Sequence, residues 1–207
     1  KKNAHKIFFE LPRFIPENKI GFYRSLFQTF RDQGYRNFMI SHLSQKIIIP
    51  KESTIATNEH VYAFNDAAVH HLREENISLF TYPLENDLDN LFSMVDKKGI
   101  VPVYFYPELF YSRMPVKIKN PHHSFRDDKD YEFTRLKRNG MTLVVPREPV
   151  SITQYIQQME SKGFGRFLID VSYEKPSDKR FHTILKNLKE SKQIQPSSTF
   201  NYKMGLT

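Results

Sequence analysis

Ser112 and Arg113, which follow an apolar strand pattern, are the neighbours best suited to chemistry in this chain. They close the stretch VPVYFYPELFYSRMP, residues 101–115, where aromatic, hydroxyl and guanidinium groups are most concentrated. Arg113 could bind a carboxylate or phosphate through its planar fork, or pair with Asp127 and order the segment between them. Ser112 is a nucleophile only with a base beside it, and the chain has no G-x-S-x-G elbow. Glu10, Glu85 and Asp170 stand at or just beyond expected strand C-termini, the end at which barrel enzymes place their chemistry. Each could act as a general base on water. Glu85 serves equally well as an acid at a helix N-terminus. Asp170 is the better candidate, because a strand-end carboxylate after apolar residues needs a partner, and Arg113 could be that partner.

His42, His60 and the adjacent His122 and His123 could compose a nitrogen and oxygen metal site with Glu10 and Asp170. No H-E-x-x-H helix is present, and adjacent histidines in extended chain point apart, which favours surface or capping roles. Tyr104, Tyr106 and Tyr111 precede the basic residues Arg113, Lys117 and Lys119, a mixture that suits stacking on unpaired bases above phosphates. Aromatic core packing accounts for the same tyrosines. Phosphate-loop and dinucleotide fingerprints are absent, so nothing supports a nucleotide cofactor.

The elements that must position these groups alternate. Residues 6–11 (KIFFEL) read as a strand, followed by a helix with Ile20, Tyr23, Leu26, Phe27 and Phe30 on one face and a stop at Gly34. Residues 37–43 form the next strand and leave Ser41, His42 and Ser44 near its end. KIIIP and STIATN read as two extended pieces, the second a strand. Asn65 or Asp66 caps a helix over Ala68 and Leu72. Residues 77–82 are a strand, and the helix after it carries Leu88, Leu91, Phe92 and Val95 and stops at Gly99. Asn139-Gly140 between two extended runs marks a β-hairpin inserted at residues 116–146. Ser151 and Gln154 suggest a capping box before a helical stripe ending at Gly163. Residues 166–171 are the last strand, and the final helix shows Phe181, Ile184, Leu185 and Leu188. The expected fold is a single α/β domain with a mainly parallel sheet, either open or part of a (β/α)8 barrel resembling a TIM barrel.

Composition sets outer bounds. The 31 Lys and Arg exceed the 23 Asp and Glu, and the formal +8 favours an anionic partner such as RNA, although the excess is spread along the chain. There is no cysteine, which excludes disulfides, thiolate metal sites, a cysteine nucleophile and any cysteine-ligated cluster within the chain. No apolar run approaches the roughly 20 residues of a membrane span, and the first residues lack a signal-peptide pattern, so a cytoplasmic protein is expected. A chain that starts at Lys1 and enters a strand almost at once reads as a piece of a longer polypeptide.

Four segments resemble the C-terminal part of the collagenase-like peptidase family of unknown catalytic type. They are YPELFYSRMP at 106–115, FRDDKDYEF at 125–133, RFLIDVS at 166–172 and TFNYKMGL at 199–206. VYAFNDAAVHHL and FTYPLENDLDNL upstream follow the same order of elements. The resemblance implies a barrel-like core and a peptidase activity. Several members are instead associated with hydroxylating RNA bases or ubiquinone precursors, some through cysteine-bound iron–sulfur clusters. This chain departs from that group, since no cysteine stands near Ser112 and Arg113 or anywhere else. The expected site therefore has Asp170, Ser112 and Glu10 as catalytic groups and Arg113, Tyr106 and Tyr111 as substrate-binding groups. The alternative is an RNA-binding module, or part of an RNA-modifying protein, without its own cluster. The exposed sheet edges of a partial barrel would call for self-association or for the missing part of the parent protein.

Overall fold

Aromatic residues on one helix face and on one face of the adjoining strands organise the first half of the chain. The computed structural model describes residues 3–114, 123–174 and 177–203. Contacts divide the chain into two compact units, Lys1–Val101 with Gly163–Arg166 and Pro102–Lys162 with Phe167–Thr207.

The first unit contains β1 (Phe8–Glu10), α1 (Ile20–Asp32), β2 (Asn37–Ile40), β3 (Thr54–Thr57), α2 (Asp66–Glu74), β4 (Leu79–Phe80) and α3 (Leu88–Ser93). The strands lie in the order β1-β2-β3-β4, all parallel, and Thr81 adds a bridge to Ile100. Pairing of Phe9 with Phe38 and of Phe38 with Ile55 puts these side chains on one face. That face meets α1, with Phe30 stacked on Phe9 at 4.2 Å and Phe27 against Phe38 at 5.3 Å. Burying the Phe27 and Phe38 rings contributes about 1.5–3 kcal/mol each, and the half-buried Phe9 and Phe30 contribute less. The caps follow from short polar side chains, since Asn65 Oδ1 accepts from Ala68 N at 2.9 Å and Asp87 Oδ1 accepts from Asn90 N at 2.8 Å.

Two local expectations fail here for identifiable reasons. KIIIP is not extended; Leu43–Ile48 is a 3-10 helix that buries Ile48 and leaves Ile47 exposed. His42 caps that turn, its Nδ1 accepting from Ser44 N at 3.2 Å. Helix α3 ends at Ser93, so Val95 lies beyond it and is exposed. Gly99 does not stop a helix. An added Cβ there would lie 2.4 Å from the Phe80 ring and 2.6 Å from that of Tyr82.

The second unit contains β5 (Val101–Phe105, whose first residue belongs to the first unit), β6 (Phe110–Ser112), β7 (His123–Arg126), β8 (Glu132–Arg138), β9 (Met141–Pro146), β10 (Val150–Ser151), α4 (Ile156–Ser161), β11 (Phe167–Ile169) and α5 (Asp178–Lys189). Strand β5 is buried throughout and lies between β10, which is antiparallel to it, and β11. Tyr104, Ile184 and Ile194 pack into one buried cluster with Ile169 against it. The expected hairpin is present: Asn139 (φ 52°) and Gly140 (φ 78°) join β8 to β9 in a two-residue turn with both residues left-handed. It is part of a larger antiparallel sheet of order β6-β9-β8-β7. The proposed capping box does not form. Ser151 is in β10, where its hydroxyl accepts from Ile194 N at 3.0 Å, and a 3-10 turn at Thr153–Tyr155 precedes α4.

Among the described residues the strands form three separate sheets and no closed barrel. The architecture is a mixed α/β one with a parallel sheet and flanking helices. No described helix is long and apolar enough to cross a membrane.

Candidate functional site

Opposite the face that meets α1, the parallel sheet turns polar toward its C-terminal edge. Register aligns Glu10, Met39, Ala56 and Leu79 in one row on this side. Two residues further along β2, β3 and β4 come Ser41, Asn58 and Thr81, which alternation returns to the same side. Asn58, only 1% exposed, donates through Nδ2 to Glu10 Oε1 at 2.7 Å and to Ser41 Oγ at 2.8 Å. Its Oδ1 accepts from His60 N at 3.1 Å. Gln45 braces the edge by accepting from Ser41 N at 2.9 Å and donating to Pro12 O at 2.8 Å. Glu10 is exposed, so a carboxylate facing solvent is held from behind by a buried amide.

The loops around this edge add a rim. Tyr62 donates to Glu85 Oε1 at 3.1 Å. Desolvation and the Glu85 charge push the Tyr62 hydroxyl above its ordinary value, against the opposing charge of Arg13. Tyr62 adopts φ 55°, ψ 52°, a left-handed conformation that is rare for a bulky side chain. In the same unit the Thr81 hydroxyl and Asn86 Nδ2 are buried without a hydrogen-bond partner among the described residues. Buried polar atoms in that condition mark places where a water, ion or ligand group is accommodated.

A second polar cluster lies at the C-terminal end of β5, beside that of β11, since Asp170 N donates to Tyr104 O at 2.7 Å. Glu174 Oε1 accepts from Tyr104 in a very short bond, from Tyr106 at 3.1 Å and from Arg180 Nη2 at 3.3 Å. Arg180 Nη2 also donates to the Tyr104 hydroxyl at 2.7 Å, and Nη1 donates to Gln195 O at 3.1 Å. Burial works against the Glu174 charge, but the bonds from Tyr104 and Arg180 outweigh it and hold the carboxyl below its ordinary range. Burial and then the Glu174 charge push the Tyr106 hydroxyl up to about 12. Tyr173 continues the cluster. It donates to Glu108 Oε1 at 2.5 Å, its ring is 5.8 Å from that of Tyr106, and the Arg138 guanidinium lies 4.7 Å from its centroid.

The residues singled out from sequence distribute as follows. Glu10 and Glu85 belong to the polar edge of the first unit, while Ser112, Arg113, Asp170, Tyr106 and Tyr111 belong to the second unit. Tyr106 joins the Glu174 cluster. Asp170 Oδ1 accepts from Ser172 N at 2.8 Å and so caps the turn after β11. Ser112 and Tyr111 lie in β6, in the antiparallel sheet, and Ser112 Oγ accepts from Met114 N at 3.0 Å. Asp127, the other acid considered for Arg113, accepts from Lys129 N and Tyr131 N within its own turn. His60 Nε2 stands 3.4 Å from Glu59. His122, the His123 side chain, Lys117, Lys119 and residues 204–206 of the last resembling segment lie outside the described residues. Among the described residues no group of three or more His, Asp or Glu side chains is gathered as metal ligands would be.

Asn58 and Thr81 escaped the sequence reading, although each follows its strand as Ser41 follows β2, a regularity that could have revealed them. Glu174 and Arg180 carry no such signal. Compared with models of protein families, with curated proteins and with solved structures, the chain gives no match.

Proposed function

We propose that the chain is a hydrolase acting on peptide bonds, with Glu10 as the general base and Asn58 as the residue that positions it. One observation carries this reading: a solvent-facing carboxylate fixed at 2.7 Å by a buried amide at the C-terminal edge of a parallel sheet. Such edges are where α/β folds place their reacting groups. The resemblance to collagenase-like peptidases supplies the reaction class, and with it the finer reading of the parallel sheet and its helices as a sector of a (β/α)8 barrel. In the proposed chemistry Glu10 takes a proton from a water as that water attacks the peptide carbonyl, and returns it to the amide nitrogen as the C–N bond breaks and the amine leaves. The Thr81 hydroxyl, on the same side of the sheet, has no hydrogen-bond partner among the described residues.

Incubation of the whole chain with an unfolded polypeptide tests this. Glu10→Gln is expected to lower the cleavage rate by about 10²–10⁴, the usual contribution of a positioned base. Asn58→Ala should lower it less and shift its pH profile. Full cleavage by Glu10→Gln would overturn the assignment, and loss in Ser112→Ala instead would return the central role to Ser112.

A second reading, an RNA-binding module, is favoured by the formal +8 together with the Arg138 guanidinium over the Tyr173 ring beside Tyr106. Binding of a single-stranded oligoribonucleotide should then weaken steeply as salt rises, because neutralised phosphates release counterions. A flat salt response would remove that reading.

A further inference from the structure

The antiparallel sheet has two chemically different faces. By register Phe110, Val144 and Arg135 form one row, with Ser112, Thr142 and Lys137 on one side of it and Pro146, Phe133 and Phe125 on the other. All of these project from the same face. The reverse face carries Leu143 and Val145, both buried. The first face remains open at Phe110, 48% exposed, and Phe125, 38% exposed. A concavity of about 470 Å³ lies there, lined by Phe110, Phe125, Arg135, Thr142 and Val144.

Arg135 gives this hollow its chemical character. Among the described residues its Nε–H is buried with no acceptor, and its guanidinium sits 5.8 Å from the Phe125 centroid. With Nε closed off by its surroundings, the guanidinium can answer only an acceptor that reaches its Nη edge from the hollow, and a planar carboxylate has the geometry to do so. The sheet does not supply that carboxylate. Glu132 is the sole acid in the four strands; register turns it to the reverse face, where Arg147 donates to it at 2.6 Å. Arg135 and Lys137 are therefore cations on a face whose strands bring no acid.

We propose that this concavity receives the carboxy-terminal residue of an extended polypeptide, its apolar side chain between Phe110, Phe125 and Val144 and its terminal carboxylate on Arg135. The sheet edge favours a polypeptide as occupant. Strand β6, which carries Phe110, has a strand neighbour on one side only among the described residues, so an added extended chain could pair with it and bring its last residue to the hollow. A nucleic-acid base is a poorer fit. The Phe125 ring already packs against Phe133 at 5.6 Å and beneath Arg135, and the Thr142 hydroxyl already donates to Met114 O at 3.3 Å. No residue of the Glu10 edge takes part, so the binding stands or falls independently of the hydrolytic reading.

The test is fluorescence anisotropy with the whole chain and a labelled hexapeptide ending in leucine and phenylalanine, prepared once as the free acid and once as the amide. The acid should bind at least about tenfold more tightly than the amide, as a charge-assisted contact of this kind requires. Arg135→Met should bring the acid down to the level of the amide. Phe110→Glu, at an exposed position, should weaken the acid by a similar factor and provides a variant that leaves the buried face intact. Equal binding of acid and amide, or no binding of either, would overturn the proposal. Displacement of the peptide by a single-stranded oligonucleotide at equal or lower concentration would overturn it in favour of a nucleic-acid face.

Discussion

Gly99→Ala is expected to destabilise the first unit by about 3 kcal/mol, near the upper end of the usual overpacking range. The added methyl would lie 2.4 Å from one carbon of the Phe80 ring and 2.6 Å from one of Tyr82, both rings being almost wholly buried. Neither ring can swing away easily. They pack edge to face at 5.1 Å, the Arg73 guanidinium lies 5.2 Å from the Phe80 centroid, and the Tyr82 hydroxyl donates to Asp96 O in a very short bond. The backbone would have to shift instead, and that would disturb the bonds that Tyr82 N and Phe80 O make with Ile100. Urea unfolding followed by the fluorescence of the buried tyrosines measures the change. A loss below about 0.5 kcal/mol, the scale of an ordinary surface substitution, would show that the rings have room to yield.

Glu174→Gln should cost the second unit about 3 kcal/mol, at the low end of the range for breaking a buried ion pair. The low end applies because Arg180 keeps 24% of its side-chain surface and Glu174 15%. The amide preserves the shape but removes the charge that faces Arg180 and accepts from two tyrosines. Combining Glu174→Gln with Arg180→Met should cost less than the sum of the two changes, because the uncompensated cation is then gone. Strict additivity would show that the groups are not coupled.

The same cluster fixes two pH limits. Because the Glu174 carboxyl is lowered in the folded chain, its contribution is complete above the ordinary glutamate value of 4.5 and is lost as pH falls through the depressed folded value. Tyr106 is raised, so its contribution is complete below 10.0 and is lost as pH climbs toward about 12. Stability measured against pH should therefore have an acid arm that Glu174→Gln removes. Persistence of an unchanged acid arm in that variant would assign it to other carboxylates.

What the sequence disclosed was mostly local. Asn139-Gly140 specified its turn because both residues tolerate positive φ, and Asn65 specified a helix start because its side chain satisfies an amide three residues on. The α1 stripe was readable because Tyr23, Leu26, Phe27 and Phe30 recur at the period of the helix. Readings failed where distant contacts decided the outcome. Ser151 resembles a cap, yet its hydroxyl is committed to Ile194, 43 residues away. KIIIP, with the composition of a strand, fails for a local reason instead, because His42 and the turn it caps take up the segment first. The Glu10 edge was half readable. Glu10 and Ser41 stood out at strand ends, while the Asn58 amide that joins them becomes visible only when β1, β2 and β3 are laid side by side. Arg180 reaches Tyr104 across 76 residues, and no pattern along the chain announces it.

Tyr62 closes the Glu59–Val61 turn at the rim of that edge with a backbone that side chains of its size avoid. Holding it so costs about 1–2 kcal/mol, which the folded unit supports through neighbouring bonds, including the one to Glu85. Opening the turn would release that strain. The free energy of local opening is thus lower there, by about the same amount, than in a relaxed turn with identical bonds. The Glu59–Val61 turn therefore has an opening equilibrium of its own, separate from the stability of the sheet beneath it.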